Sequence, residues 1–431
     1  MRIAVIGSGI AGMTAAYRLN AQHEVTVFEA GDHFGGHTHT VDVDLSGQQF
    51  AVDMGFIVFN DRTYPRFIAL MDELGVPSQP SNMSFSVHCE RTGLEYNGTS
   101  LNSLFAQRLN LVRPSFLKMI ADILRFNRRA PELLLTDEKT LTLGSYLIRE
   151  GYSESFAEAY LVPMGRAIWS ATEDAMLAWP ARFFVDFFER HGFLTVNDRP
   201  QWRAICGGSR EYARKLTAPY RQRIRLRTPV QSVKRTQDSV VVRTARGDVE
   251  RFDHVFFACH SDQALALIDS PTAQEIEILG AFPYQANDVA LHTDARMLPR
   301  APLARAAWNY HTLVEKQQPV ALTYDMNILQ TLTSPEPLLV TLNRTADIDS
   351  RRILHTATMH HPVYTPGAVA AQRRRHEISG HNRTFFCGAY WRYGFHEDGV
   401  VSADWAVKDF ELVAARVLVA RERVPAMAAS A

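Results

Sequence analysis

The sequence is poor in cysteine, carries no surplus of either charge and contains no long apolar run. Each shortage removes a class of protein. Its 431 residues include four cysteines, Cys89, Cys206, Cys259 and Cys387, and no CxxC pair. Thiols so far apart build neither a disulfide framework nor a zinc cluster, and they fit a reducing compartment. Lysine plus arginine number 46, and aspartate plus glutamate also number 46. A balanced chain gives no electrostatic reason to expect nucleic acid or an acidic membrane as the main partner. The short basic run at 373–376 reads as a solvated face. No uninterrupted apolar stretch approaches the ~20 residues needed to span a bilayer. The opening MRIAVIG enters a strand at once, without the charged and apolar regions of a signal peptide. A cytoplasmic protein is expected, with peripheral membrane contact left open. The length exceeds the usual single domain, so two domains are expected.

The stretch that carries most information is RIAVIGSGIAGMTAAYRLNAQHEVTVFEAG. Residues 2–6 have the continuous apolar pattern of a buried parallel strand. Gly7, Gly9 and Gly12 follow, then an alanine-rich amphipathic segment, then a second strand ending at Glu29. Each part suits dinucleotide binding. Gly7 permits the tight turn, Gly9 lets backbone approach a pyrophosphate, and Gly12 lets helix and strand pack closely. The helix N-terminus offers N–H groups and a positive dipole end to phosphate. Glu29 can accept hydrogen bonds from ribose hydroxyls, and its charge would repel a 2′-phosphate. It lies seventeen residues past Gly12, close to the usual ~20.

Beyond Glu29, EAGDHFGGHTHTV holds a second glycine pair, Gly35 and Gly36, followed by His37, Thr38 and His39. A later strand ends in Asp53, Met54 and Gly55. With these features the sequence resembles the flavoprotein superfamily of amine oxidases, protoporphyrinogen oxidases and phytoene desaturases. The resemblance implies non-covalent FAD, with Gly36 and His37 along the pyrophosphate and Gly55 and Phe56 beside the isoalloxazine. The implied cofactor set also takes in Ile10, Ala30, Gly35, Thr38 and Gly388. Many relatives carry arginine where His37 stands. The pair His37 and His39 is a metal motif only with further ligands, and no carboxylate or third histidine lies nearby in sequence on that face. No metal is expected.

Residues 60–200 change character to helical patterns, and WPARFFVDFFERHGFL sets five phenylalanines and a tryptophan in sixteen residues. Most of these aromatics read as core, with a few lining an apolar pocket. From 201 the nucleotide-domain grammar returns: Gly207, Gly208, Ser209 as N-cap, a helix, then alternating short strands to HVFFACH. In the superfamily this meander rejoins the FAD domain, and Val230 takes the place whose backbone contacts adenine. Residues 285–377 read as a second visit to the substrate domain, with His355, His360 and His361 in a loop. The expected fold is α/β: a discontinuous Rossmann-type FAD domain (1–59, 201–284, 378–424), an interleaved α+β substrate domain (60–200, 285–377) and a tail at 425–431.

The segment GFHEDG, 394–399, stands before the last long helix, whose apolar face includes Trp405, Phe410 and Val413. That face suits either the first βαβ unit or a membrane. Three uses of the segment are open: a metal site, an acid–base cluster and a support for a cofactor. The resemblance favours the third, bringing a helix N-terminus under the N1–C2=O edge of the flavin, where reduced flavin is negative. By that match His396 donates its backbone N–H near this edge, Phe395 faces the ring and Glu397 holds the loop. The chain departs from the superfamily here, with HEDGVV in place of MEGAV.

No nucleophile or triad stands out, and no catalytic residue is named. Flavin-dependent hydride removal needs none, because the cofactor carries the hard step. Three classes stay open. An amine oxidase often keeps a lysine near flavin N5, yet no lysine occurs from 235 to 315. A dehydrogenase or desaturase acting on an apolar small molecule, a fatty-acyl or methylated lipid, suits the aromatic-rich middle. A non-catalytic flavin- or NAD-binding protein is the third. GGHTHTV, PMGRAIWSA and YGFHEDG resemble a bacterial branch of FAD-binding proteins associated with cyclopropane-fatty-acid synthases.

Overall fold

The computed structural model describes residues 1–138, 140–169, 172–195, 199–315 and 319–422. Contacts divide the chain into two compact units. The first comprises Met1–Gly36, Ala213–Phe282 and the chain from Ala370 onward; the second comprises His37–Tyr212 and Pro283–Val369.

In the first unit, β1 (Arg2–Ile6) leads through the glycine turn to α1 (Ile10–Asn20) and β2 (Glu24–Phe28). These strands sit inside a five-stranded sheet whose order is Ile224–Arg225, β2, β1, His254–Phe257, Thr384–Phe386. Every pairing in it is parallel. Ile3 to Ile6 are all buried, as the centre of a sheet covered on both faces requires. An antiparallel meander of three strands, Val230–Arg235, Val240–Thr244 and Val249–Phe252, interrupts the parallel order.

The last helix (His396–Glu422) packs on α1. Ala403, Ala406, Val407 and Phe410 recur at helical spacing and join Ala11, Ala15 and Leu19 in one core cluster. Gly399 sets the approach, since a Cβ there would lie 2.5 Å from Ile10 Cγ2. Trp405 does not belong to this face: it falls off the 3.6-residue stripe, is 39% exposed and takes the Arg375 guanidinium over its ring.

In the second unit, β3 (Thr40–Leu45) and β4 (Gln48–Asp53) form a hairpin. A seven-stranded sheet has the order Ile353–Pro362, Tyr284–His292, Leu339–Leu342, Ala321–Asp325, Trp308–Thr312, Phe85–Cys89, Glu95–Asn97. It is antiparallel except where Trp308–Thr312 meets Phe85–Cys89. His355, His360 and His361 therefore lie on a strand and not in a loop: nine of its ten residues pair along Tyr284–His292, and the alternation of exposed and half-buried residues is that of an edge. The helical segment between the sheet strands packs its aromatics inward. Trp169 meets Trp179 edge-on at 4.9 Å and lies 4.4 Å from Phe187, and Phe184 stacks on Phe188 at 4.1 Å.

One side chain from each of six neighbouring strands lines up across the large sheet. His292 Nε2 lies 2.7 Å from Thr341 Oγ1, and the Thr341 and Thr323 hydroxyls are 2.9 Å apart. Thr323 Oγ1 reaches His311 Nε2 at 3.2 Å. The His311 ring meets that of His88 at 5.8 Å, and His88 Nδ1 lies 2.5 Å from Glu95 Oε1. Burial pushes His292 down to about 4 and His311 to about 3, so both are neutral near pH 7.

The contact division departs from the sequence-based boundaries in four places. Residues 37–59 and 201–212 cluster with the second unit, because Trp202–Ile205 pairs with Phe59–Asn60 and Ser78–Pro80. Residues 283–284 do likewise, at the start of a strand of the large sheet. Residues 370–377 cluster with the first, where the Gln372 side-chain amide donates to the Tyr390 carbonyl at 2.9 Å. Among the described residues no helix is long and apolar enough to cross a membrane.

Phe410 is buried and touches His23, His254, Phe256 and Phe385 with ring centroids 5.2–5.9 Å apart. Phe410→Ala is expected to cost about 3–5 kcal/mol of unfolding free energy. Denaturant melts check this, and a loss below about 1 kcal/mol would contradict the packing of the last helix.

Candidate functional site

In the first unit two glycine pairs form one backbone-lined cradle. Gly7 takes φ 101° and donates its N–H to the Phe28 carbonyl at 2.9 Å, which turns the chain out of β1. A Cβ on Gly12 would lie 2.0 Å from the Gly7 carbonyl oxygen, so helix and turn approach as closely as backbone permits. Gly9 differs: a Cβ there meets nothing within 4 Å. It is the N-cap residue of α1, and no side chain caps that helix. Ile10, the first helical residue, is buried. Gly35 bridges to Gly9 and donates its N–H to the Ser8 carbonyl at 3.0 Å. Gly36, at φ 59°, brings its Cβ position to 3.2 Å from Gly9 Cα.

Glu29 stands at the tip of β2. Its Oε2 accepts from the Ser8 N–H at 3.0 Å and from the Ser8 hydroxyl at 2.5 Å, and its Oε1 accepts from the Gly31 N–H at 2.8 Å. Oε1 keeps a lone pair for a further donor. Ala30 follows on the exposed surface. The Glu29 and Gly31 carbonyls accept from the Thr228 and Arg227 N–H groups at 2.8 and 2.7 Å. That pairing brings the chain just before Val230 alongside the acid.

The segment after Gly388 closes this part of the site. The Gly388 N–H donates to Ser402 Oγ at 2.9 Å, and a Cβ on Gly388 would lie 2.2 Å from the Tyr390 ring. Gly394 takes φ 92°, Phe395 precedes the helix and His396 is its first residue. The loop is held by Asp398, whose Oδ2 accepts from the Phe395 N–H at 2.9 Å and from the Tyr393 N–H at 3.1 Å. Arg392 Nη1 lies 3.4 Å from Asp398 Oδ1. Burial raises Asp398 to about 6 against these donors, and burial lowers His396 to about 3, leaving a neutral imidazole. Glu397 is buried beside them.

In the second unit His37 and Thr38 continue the β3–β4 hairpin. The His37 carbonyl accepts from the Phe56 N–H and the His39 carbonyl from the Met54 N–H, both at 2.8 Å. A Cβ on Gly55 would lie 2.1 Å from the His37 carbonyl oxygen, so only glycine fits. The Thr38 hydroxyl bonds that of Tyr212, and the Phe56 ring packs edge-on against Phe67 and Tyr212 at 5.2 and 6.3 Å. The His37 and His39 rings face His361 and His355, each at 5.4 Å. Among the described residues no group of three or more His, Cys, Asp or Glu gathers to hold a metal.

Asp53 anchors this part. It is fully buried and accepts from the Ser209 N–H at 2.9 Å, the Ser209 hydroxyl at 2.8 Å, the Thr40 hydroxyl at 2.5 Å and the Gln330 amide at 3.2 Å. Ser209, which stands where the sequence suggests a cap for the helix Arg210–Thr217, donates its hydroxyl to Asp53. Ser8, Asp53, Tyr212 and Asp398 are the residues the sequence reading left without a role. Asp53 and Asp398 each sat inside a motif that was noticed, but their partners are set by tertiary placement.

The model for the flavin containing amine oxidoreductases matches residues 10–301, more than half of the chain. The chain belongs to that family. It is an FAD-dependent oxidoreductase. Among curated proteins, 147 residues are 33% identical to a 1-hydroxycarotenoid 3,4-desaturase of Flavobacterium sp. (strain P99-3), covering 33% of this chain and 24% of that one. A second match, 45% identical over 56 residues, is to a 4,4'-diapophytoene desaturase of Staphylococcus aureus, covering 13% of this chain and 10% of the other. The matched parts are thus a quarter and a tenth of those relatives' lengths. Among solved structures, cyclohexylamine oxidase from Brevibacterium oxydans IH-35A superposes with a TM-score of 0.69 at 15% identity, over 95% of this chain and 99% of that one. A CLA-producing fatty acid isomerase from P. acnes gives 0.68 at 17%, over 94% and 98%. At such identities the likeness is one of fold, and it agrees with the α/β class read from the sequence.

The donor chemistry of the first unit fits FAD. An uncapped helix N-terminus and a glycine with open space before it suit a diphosphate, and a carboxylate oxygen with a lone pair to spare suits a ribose hydroxyl.

Burial raises Asp53 to about 6 despite its four donors. The folded chain then holds this proton more tightly than the unfolded one, so the contribution to stability is present at low pH and is lost as pH rises through about 6. The unfolding free energy of wild type minus that of Asp53→Asn is expected to fall by on the order of 2 kcal/mol between about pH 4 and pH 7. Parallel denaturant titrations check the sign; a difference that grows with pH would contradict it.

Proposed function

We propose that this enzyme is a dehydrogenase or desaturase that oxidises an apolar lipid, fatty-acyl or methylated acyl in character, with FAD held non-covalently. The observation that carries this reading is the 33% identity to a carotenoid desaturase over a third of the chain. The lysine-free stretch from 235 to 315 also supports it over an amine oxidase. The motifs GGHTHTV, PMGRAIWSA and YGFHEDG narrow the proposal to the branch associated with cyclopropane-fatty-acid synthases.

When bound, FAD supplies the acceptor for a hydride from a substrate carbon. The chain's own residues bind and orient. Gly9, Ile10, Gly12 and Gly36 would hold the diphosphate by backbone N–H groups, and Gly7 and Gly35, whose N–H groups bond Phe28 and Ser8, would shape the cradle around it. Glu29 and Ala30 would take the ribose, and Val230 the adenine. Gly388, Phe395, His396 and Glu397 would support the ring system from the last helix. In the second unit His37, Thr38, Gly55 and Phe56 are the proposed cofactor residues. A neutral His396 brings no cation to the ring, so stabilisation of negative charge falls to the N–H groups of the helix start, restrained by the acids of its first turn.

Gly9→Glu is expected to abolish flavin binding. Because a Cβ at Gly9 meets nothing within 4 Å in the chain itself, the variant is expected to keep its fold and to extend into ligand space. Purified protein should lose its visible flavin absorbance while its circular dichroism is unchanged; full occupancy would sink the assignment. The substrate class is tested by anaerobic mixing of the holoenzyme with long-chain unsaturated or methyl-branched acyl lipids and with simple amines. Bleaching by the lipids is expected. Bleaching by amines alone would make the enzyme an amine oxidase.

A further inference from the structure

The whole-chain charge balance hides a local departure. Between residues 101 and 129 the second unit carries six cations, Arg108, Arg113, Lys118, Arg125, Arg128 and Arg129, against one acid, Asp122. Asp122 is buried and is taken by Lys118 and Arg125 at 3.2 and 3.1 Å. Among the described residues no carboxylate pairs with Arg113, Arg128 or Arg129.

The same stretch exposes apolar side chains. The helix Pro114–Arg129 buries Phe116, Met119, Asp122 and Phe126. Its opposite face, which should be polar on a water-facing helix, carries Leu117 and Leu124, 44% and 52% exposed, in line with Ala121 and Arg128. The turn of Arg108–Val112 feeds directly into this helix, with the Leu117 N–H donating to the Arg113 carbonyl at 3.1 Å. It adds Leu109 at 81%, Leu111 at 53% and Val112 at 76%. Isolated exposed apolar side chains need no explanation. Five within sixteen residues, interleaved with unpaired arginines, do.

We propose that this leucine–arginine surface docks the protein on an anionic phospholipid bilayer, with the helix lying in the interfacial plane. Charge complementarity selects this partner. Arginine stems bury along apolar surface while their guanidinium groups reach phosphate, and the leucines enter the acyl boundary. Nucleic acid would use the arginines and leave the leucines in water.

The test is co-sedimentation of the holoprotein with vesicles of phosphatidylcholine alone and of phosphatidylcholine mixed with phosphatidylglycerol, at low and high salt. Wild type is expected to sediment with the mixed vesicles and to be released by salt. Combining Leu109→Ser, Leu111→Ser and Val112→Ser, or Arg113→Glu and Arg128→Glu, should each weaken partitioning about tenfold. Leu354→Ser, at an exposed leucine on the edge strand of the large sheet, should not. All these positions are exposed, so flavin absorbance stays as in wild type and reports intact protein. Wild type that ignores the mixed vesicles, variants that bind as well as wild type, or a triple-serine variant that changes only the oligomeric state would each overturn the proposal.

Discussion

The second unit depends on one buried carboxylate. Taking Asp53 out of water is costly unless donors replace the lost solvent. Four do, and they come from three distant places: Thr40 on the hairpin, Ser209 after the glycine turn, and Gln330. The backbone joins in, with the Asp53 N–H donating to Gln330 Oε1 at 2.9 Å. Gly208 makes room, since a Cβ there would lie 2.6 Å from Thr40 Cγ2. Two residues on, Gly55 rests against the His37 carbonyl. The D-x-G sequence is therefore one mechanical piece: the acid fixes the strand end, and the glycine lets the next segment press on it.

A second buried acid does a related job in the first unit over a shorter reach. Asp398 folds back onto the two N–H groups that precede its own helix, in the manner of an acid at the third helical position reaching the N-cap. Both acids are raised to about 6, and burial is the largest cause in each. Acids in such settings trade solvation for placement, which suits loops whose backbone must present itself in one conformation.

The nucleotide-binding half was readable because its constraints are local. Gly7, Gly12 and Glu29 do their work within thirty residues, and backbone sterics at those positions admit few alternatives. The α/β class followed from the same stretch. The second unit was less legible. His355, His360 and His361 looked like loop because Pro362 and mixed polarity mask an edge strand whose period shows only once Tyr284–His292 lies beside it. Trp405 was placed on one helical face with Phe410 and Val413, although its phase turns it away from Phe410 and leaves it exposed. Asp398, next to the expected Glu397, holds two loop N–H groups in a segment where the chain departs from its relatives, and no local pattern singled it out. The partners of Asp53 lie as far as 277 residues away in sequence, so no local pattern announces them.

The transverse row His292–Thr341–Thr323–His311–His88–Glu95 has a consequence for how the large sheet finds its pairing. Each of six strands contributes one polar group to the row, directly or diagonally opposite the next, and Ser86 and Asn309 bond beside it. Sliding any strand by one residue would turn its contribution to the opposite face and strand an imidazole or hydroxyl without a partner in a dry layer. The row thus works as a combination lock for strand alignment. Apolar side chains reward many near-miss arrangements almost equally, whereas this sequence of donors and acceptors closes in only one.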